Sequence, residues 1–441
     1  GGGEAAGGAT PEVIDATGLL VLPGGVDSHA HIAQPSSSGG RMAGDWESAT
    51  RAAAAGGTTT VMAFSTQDKG GDGVAPMVER YLAEAAGAAC IDYSLHMIVS
   101  DPTPEVVEHQ LPELVAAGLR SFKMFLTYPK NRLDDAEALR VLTAARATGA
   151  MVCVHAENHA AIEHNTHHLV AAGKVGTKYH AVAKPPVVER EAVQRIISLA
   201  EMVGQPLQIF HVTCEDAATE VARAQARGVA VSAETCTHYL TFTDEKLDAP
   251  SRSGARYLCS PALRSPGDVA ALWRAIECGT ISNVTSDHAP YNLGGADGKF
   301  WAGDDAPFSQ IANGMAGIQP RLAVVFSEGV SAGRISVERF VELTSTNAAK
   351  LFGLYPAKGT IAPGSDADLV LWNPDKTVTI THDLIWDGVD HTPYEGFEVH
   401  GWPVLTLLRG SVVARDGDPS VAQPGGGRFV PQALVDRTVA N

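Results

Sequence analysis

The chain has 441 residues, 45% of them hydrophobic and 19% charged, an ordinary globular composition that excludes a disordered polypeptide. Its formal net charge of -17 predicts a surface that repels nucleic acid and anionic membranes, so neither is an expected partner. The length exceeds one average domain and fits a large barrel with a smaller accessory domain.

Gly1, Gly2 and Gly3 open the chain without an initiator Met and with no signal-peptide pattern, so the natural first segment is expected to be missing. VIDATG (13–18) is expected to pair with strands from the far end of the chain. From there β-rich runs recur at 24–32, 58–64, 92–99, 121–126, 151–157, 206–213, 229–236 and 281–289. Ala-rich amphipathic stretches separate them at 45–55, 75–87, 104–117, 134–148, 189–203, 215–227 and 267–278. Within 134–148, Leu139, Leu142 and Ala145 recur on one helical face and Gly149 ends the run. Near-continuous apolar strands alternating with helices describe a parallel sheet covered by helices, and eight such units make an α/β fold of the (β/α)₈ TIM-barrel type.

From about residue 356 the pattern changes to half-buried antiparallel sheet: GSDADLVLW alternates, and PVLTLLRGSVVARDG reads as two strands around Arg409-Gly410. The expected division is 1–21 and 356–441 as a small β-sandwich-like domain built from both chain ends, with the barrel at 22–355. The tail after about 415 is Gly- and Pro-rich and reads as an arm or loop. No run of about 18 apolar residues occurs, the length needed to span a bilayer. Six cysteines are scattered singly, with no CxxC pair, which predicts a reduced, cytoplasmic protein.

Metal-ligand types cluster at the ends of the candidate strands: His29 and His31 on the first, His155 on the fifth, His211 on the sixth and Asp287-His288 on the eighth. Residues two apart on a strand share a side, so His29 and His31 can converge on one ion. The C-terminal ends of barrel strands form one rim, which makes these residues neighbours in space. Neutral imidazoles with a carboxylate suit zinc, manganese or iron. Lys123 lies inside the apolar run SFKMFL, where an unpaired ammonium is costly. It reads either as a buried ion-pair partner or as a lysine carbamylated by carbon dioxide, whose negative charge would offset that of two metals. His159, His164, His167, His168 and His180 look like a cluster by composition but read mostly as surface residues, while His238 and His288 read as groups that orient others.

The motifs PGGVDSHAHI, GGTTTVMAF, DYSLHMIV, SFKMFLTY, VHAEN, FHVT, AETCTHYL, CSPALR, TSDHAP, NAAKLFG, KGTIAPGSDADLVLW and YEGFEVHGWPV, in this order, resemble the amidohydrolase superfamily and, within it, the dihydropyrimidinase/hydantoinase group. The resemblance implies hydrolysis of a small cyclic amide, with ring-opening of 5,6-dihydropyrimidines or hydantoins to N-carbamoyl amino acids by a hydroxide bridging two divalent metals, zinc foremost. It implies His29, His31 and Asp287 on one metal, His155 and His211 on the other, and carbamylated Lys123 bridging both. Asp287 would shuttle the proton, Tyr128 would polarise the substrate carbonyl, and Ser260 and Asn313 would bind the ring largely through backbone groups. A homotetramer, or a dimer, is also implied.

Related activities separate on single positions. Dihydroorotases usually carry an Arg two residues after the second His to grip a carboxylate, and here that position is Ala33. Allantoinase is a nearer rival, and a non-catalytic scaffold like the collapsin response mediator proteins is a rival from another class; all six ligand positions are filled here, which favours an enzyme. Ala183-Lys184 precedes Pro185 where relatives often place an Arg, and the loops 33–42, 64–73 and 126–135 are expected to select the substrate's exocyclic group.

Overall fold

The computed structural model describes residues 13–37, 39–250 and 252–435; the outer parts of the two expected terminal segments, 1–12 and 436–441, lie outside them. Two sheets organise the molecule. The strand β1 (Leu20–Pro23) belongs to the smaller one, and the barrel follows with β2 (Gly25–Asp27), β3 (Thr58–Thr66), β4 (Asp92–Ile98) and β5 (Ser121–Phe125). It continues through β6 (Met151–His155), β7 (Leu207–Ile209), β8 (Val231–Cys236) and β9 (Asn283–Thr285). All eight are parallel and neighbours in chain order, and a bridge between Ala30 and His288 brings the last strand back to the first.

The period-two alternation of each strand sorts its side chains into two cores. Val61 and Ala63, Phe122 and Met124, and Val152 and Val154 pack outward under the helices. Met62 and Phe64, Phe125, Met151 and Cys153 fill the barrel with Val26, Ile98 and Phe210, closed by Phe352 and Leu354. Lys123 and His155 share the parity of this inner set, so the same alternation aims them into the barrel.

The helix Asp135–Thr148 shows why the covering layer forms where it does. Asp134 and Glu137 close a reciprocal capping box, and Gly149 ends the helix at φ 74°. Its buried face is Ala138, Val141, Leu142 and Ala145, with the expected Leu139 only half-buried at the edge. Between β6 and β7 the chain adds the helices His159–Ala171 and Tyr179–Ala183 before Pro186–Val203, which starts earlier than the amphipathic pattern indicates.

The small sheet is antiparallel, in the order β1, β10 (Leu369–Thr379), β11 (Glu398–Leu408) and β12 (Ser411–Arg415). Arg409 and Gly410, both at positive φ, make the expected turn between its last two strands. VIDATG is not its N-terminal strand. Asp15 Oδ1 accepts from the Thr17 amide and Gly18 has φ 77°, so this segment turns, and LVLP after it pairs with β10. The tail is an ordered arm: the Tyr93 amide donates to the Arg428 carbonyl, Val430 to Tyr93, and Gln432 to Gly118. No helix among the described residues is long and apolar enough to cross a membrane.

Candidate metal centre

Strand ends set the positions of the functional side chains. His29 and His31 follow β2, His155 closes β6, and His211 and Asp287 stand two residues beyond β7 and β9. His211, Asp287 and Tyr128 hold φ of 40°, 44° and 69°, a region non-glycine residues seldom occupy. Strain of this kind persists only where surrounding packing enforces it, and here it turns side chains toward one cleft.

The groups meet around Asp287. Its Oδ1 lies 3.1 Å from His29 Nε2 and 3.2 Å from His31 Nε2. Ligand atoms of His29, His211 and Asp287 all lie within 4.8 Å of one another. The His155 ring packs edge-on to His211 at 4.4 Å between centroids. Lys123 points among them, with Nζ 4.0 Å from the Phe210 ring centroid and 4.9 Å from that of Phe125. A cleft of about 500 Å³ opens over these residues and is also lined by Tyr128, Ser260 and Asn313.

Three of the four imidazoles are aimed by a second group through the other nitrogen. His29 Nδ1 donates to Glu234 Oε1 at 2.5 Å, His31 Nδ1 to Gln34 Oε1 at 2.5 Å, and His155 Nε2 to Glu157 Oε2 at 2.7 Å. Gln34 is fixed in turn, because its Nε2 donates to Thr66 Oγ1. These three partners are absent from the sequence reading. Glu234, a charged residue within the buried strand VSAETC, carries the same signal that marks Lys123.

Burial pulls the His155 imidazole down to about 4, against the opposing effect of Glu157, and drives His211 well below its ordinary value. Both are therefore neutral, the form that binds metals. Burial would raise Asp287, but His29, His31 and His211 hold its carboxyl well below the usual range. The same desolvation lowers the Lys123 ammonium to about 8 and raises the Tyr128 phenol far above 10, so that phenol stays a donor.

Buried polar atoms without partners test whether these residues fit a metal pair. His211 Nδ1 and Lys123 Nζ are buried and have no hydrogen-bond partner among the described residues. Such orphans are costly unless something else coordinates them. Imidazoles, one carboxylate and an amine that carbon dioxide can convert to a second anion are the donor set expected around divalent zinc, manganese or iron. The residues fit.

Of the remaining histidines, His164, His167 and His168 are exposed on their helix. His180 is not a surface residue: it is buried and donates to the Cys259 carbonyl at 2.7 Å. His288 accepts from the Gly317 amide, and His238 lies beside Cys236 and Asp287. Among the described residues none of 64–73 lines the cleft; Gln34, Ser37 and Met42 of the first expected loop do, with Tyr128 of the third. Lys184 sits behind the cleft, donating to Ser260 Oγ and 3.7 Å from Glu157 Oε2.

Comparisons with known proteins place the chain in a family. Residues 20–413 match the model of the amidohydrolase family. A D-hydantoinase of Ralstonia pickettii is 43% identical over 96% of this chain and 91% of its own length. The crystal structure of a dihydropyrimidinase from Brevibacillus agri superposes with a TM-score of 0.93 at 38% identity, covering 98% of this chain and 92% of that one. An L-hydantoinase (dihydropyrimidinase) from Arthrobacter aurescens superposes at 0.86 with 29% identity, covering 97% and 92%. Likeness of that extent along nearly the whole length means that the chain belongs to the amidohydrolase family, in its hydantoinase and dihydropyrimidinase branch.

Proposed function

We propose that the chain opens the ring of a small cyclic amide, a hydantoin or a 5,6-dihydropyrimidine, at a centre of two divalent metals. Water adds across a ring C–N bond, which breaks to leave an N-carbamoyl amino acid. The observation that carries this reading is the convergence of His29, His31, His155, His211 and Asp287 around the partnerless Nζ of Lys123, under a cleft lined by Tyr128, Ser260 and Asn313.

His29, His31 and Asp287 would hold one ion, His155 and His211 the other, and Lys123 carbamylated by carbon dioxide would bridge them; zinc is the proposed metal. From the ammonium, carbamylation forms an N–C bond at Nζ and releases two protons, turning a buried cation into an anion. When bound, the metals supply Lewis acidity and a water acidified to a pKa of about 7. The chain's own groups do the rest. The Asp287 carboxylate accepts the attacking water's proton and returns it to the departing ring nitrogen. The Tyr128 hydroxyl donates to the carbonyl oxygen as negative charge develops there. Ser260 and Asn313 hold the ring through backbone groups.

The name D-hydantoinase on the 43% identical relative supports a D-configured 5-substituted hydantoin as the preferred substrate. A dimer or tetramer is the proposed working state, supported by exposed apolar residues such as Val182, Val187 and Met202, and light scattering tests it. The cytoplasm is the proposed location, supported by six free cysteines. A panel of dihydrouracil, hydantoin, 5-substituted hydantoins of each hand and allantoin tests the activity. Chelator-sensitive opening of a hydantoin or dihydropyrimidine is expected; hydrolysis of allantoin alone, or of none, would overturn the reading.

A further inference from the structure

Lys299 is fully buried and has no ion-pair partner among the described residues. Its ammonium donates to three main-chain carbonyls instead, those of Leu258 at 3.1 Å, Ala312 at 3.1 Å and Gly314 at 2.7 Å. All three N–H groups are thereby used. A lone cation in such a place is costly, and burial pulls Lys299 down to about 7, whereas an apolar residue would fill the space without that cost.

The three carbonyls belong to two segments far apart in sequence that together wall the cleft, where Cys259, Ser260, Asn313 and Gly314 line it. The Gly314 amide stitches them once, donating to the Leu258 carbonyl at 2.9 Å. Lys299 adds direction. In a planar trans peptide the carbonyl and the following N–H point opposite ways. Holding the Ala312 carbonyl therefore turns the Asn313 N–H away from Lys299, and holding the Leu258 carbonyl does the same for Cys259, next to Ser260. The backbone of Lys299 is anchored as well: its amide donates to Asn292 and its carbonyl accepts from Ala312.

We infer that Lys299 is a positioning residue for the reaction, a tethered cation that orients the peptide groups of 258–260 and 312–314 toward the substrate. This rests on the reading that Ser260 and Asn313 hold the ring. Lys299 is not among the residues that line the cleft, so its loss should act on ring binding and leave the metals in place.

The test uses the metal-loaded protein with a hydantoin as substrate and its N-carbamoyl product as a calorimetric ligand. Lys299→Met, which keeps the length without the charge, is expected to raise KM about tenfold or more, with a much smaller change in kcat, the signature of lost uniform binding. Product affinity should fall in parallel while elemental analysis still finds the wild-type metal content. Lys299→Gln, which keeps two donors, should fall between Met and wild type, an order that space-filling alone does not produce. Gly314→Ala is the control, because its Cβ would meet the Ala289 carbonyl oxygen at 2.3 Å and push the wall out of place. If Lys299→Met leaves KM unchanged while Gly314→Ala raises it, the wall grips the ring without Lys299 and the inference is overturned. If neither variant moves KM, the wall does not bind the ring, and the inference falls with that reading. If neither Lys299 variant folds, Lys299 is a folding residue and the inference is wrong.

Discussion

His155 Nε2 lies 2.7 Å from Glu157 Oε2, with both side chains buried. The residue two places along the same segment thus fixes the tautomer of the imidazole and leaves its Nδ1 free. Burial would raise the Glu157 carboxyl, but Lys184 at 3.7 Å and the bond from His155 hold it down at about 2, so the acceptor is a carboxylate at any working pH. Glu157→Gln is expected to weaken metal retention by roughly 10–100-fold. Dialysis against graded chelator followed by elemental analysis is the check, and wild-type retention would refute the anchoring role.

Asp287 and Tyr128 separate by kind of loss. Asp287→Asn removes the proton shuttle and should nearly abolish turnover. Tyr128→Phe should lower kcat by about 10²–10³, the usual loss for one oxyanion donor, with metal content unchanged. Full rate in Tyr128→Phe on every substrate would remove Tyr128 from the mechanism.

Lys123→Ala should lose metal and activity together, and acetate or propionate should restore part of both by filling the vacated space with a carboxylate. Lys123→Arg should not respond, because its guanidinium stays charged. A mass measured under non-acidic conditions should exceed that of the unmodified chain by one carbon dioxide. The bare mass in active, metal-loaded protein would contradict the carbamate.

Much of this was legible in the chain because the barrel's inner and outer cores follow strict alternation. Met62 and Phe64 against Val61 and Ala63 is a pattern any strand must show when both faces are buried. The ends of strands were less legible. The strands β7 and β9 shrink to three residues each, since His211 and Asp287 leave extended geometry to reach the cleft. VIDATG was misread because local turn chemistry at Asp15, Thr17 and Gly18 outweighs its apolar start. Lys299 gave no sign, for the carbonyls that hold it come from segments more than ten and forty residues away.

Lys358 ties the small sheet to the barrel floor, with Nζ 2.5 Å from Asp92, 2.9 Å from Asp366 and 2.7 Å from Asp368. Lys358→Met removes the partner these carboxylates share, while Arg409 and Arg428 still hold Asp92 and Arg428 still holds Asp366, and should cost roughly 1–3 kcal/mol of stability at neutral pH. Burial lowers Lys358, but Asp368 and Asp92 outweigh it and raise its pKa, so its contribution is complete below the ordinary lysine value and lost as pH rises through the raised one. Burial would raise Asp366, yet Lys358 and Arg428 lower it, so its contribution is present above the ordinary carboxylate value and lost as pH falls through the lowered one. Urea unfolding should therefore show a plateau between about pH 5 and 9, with the penalty of Lys358→Met shrinking toward acid. A penalty independent of pH would contradict the ionic clamp.

The most direct test of the metal-centred reading is a titration of chelated, metal-free protein with zinc, following hydantoin ring-opening alongside bound metal. Activity should be absent at zero metal, rise as zinc binds, and level off near two ions per chain. Ring-opening by the metal-free chain, or none with two ions bound, would contradict it.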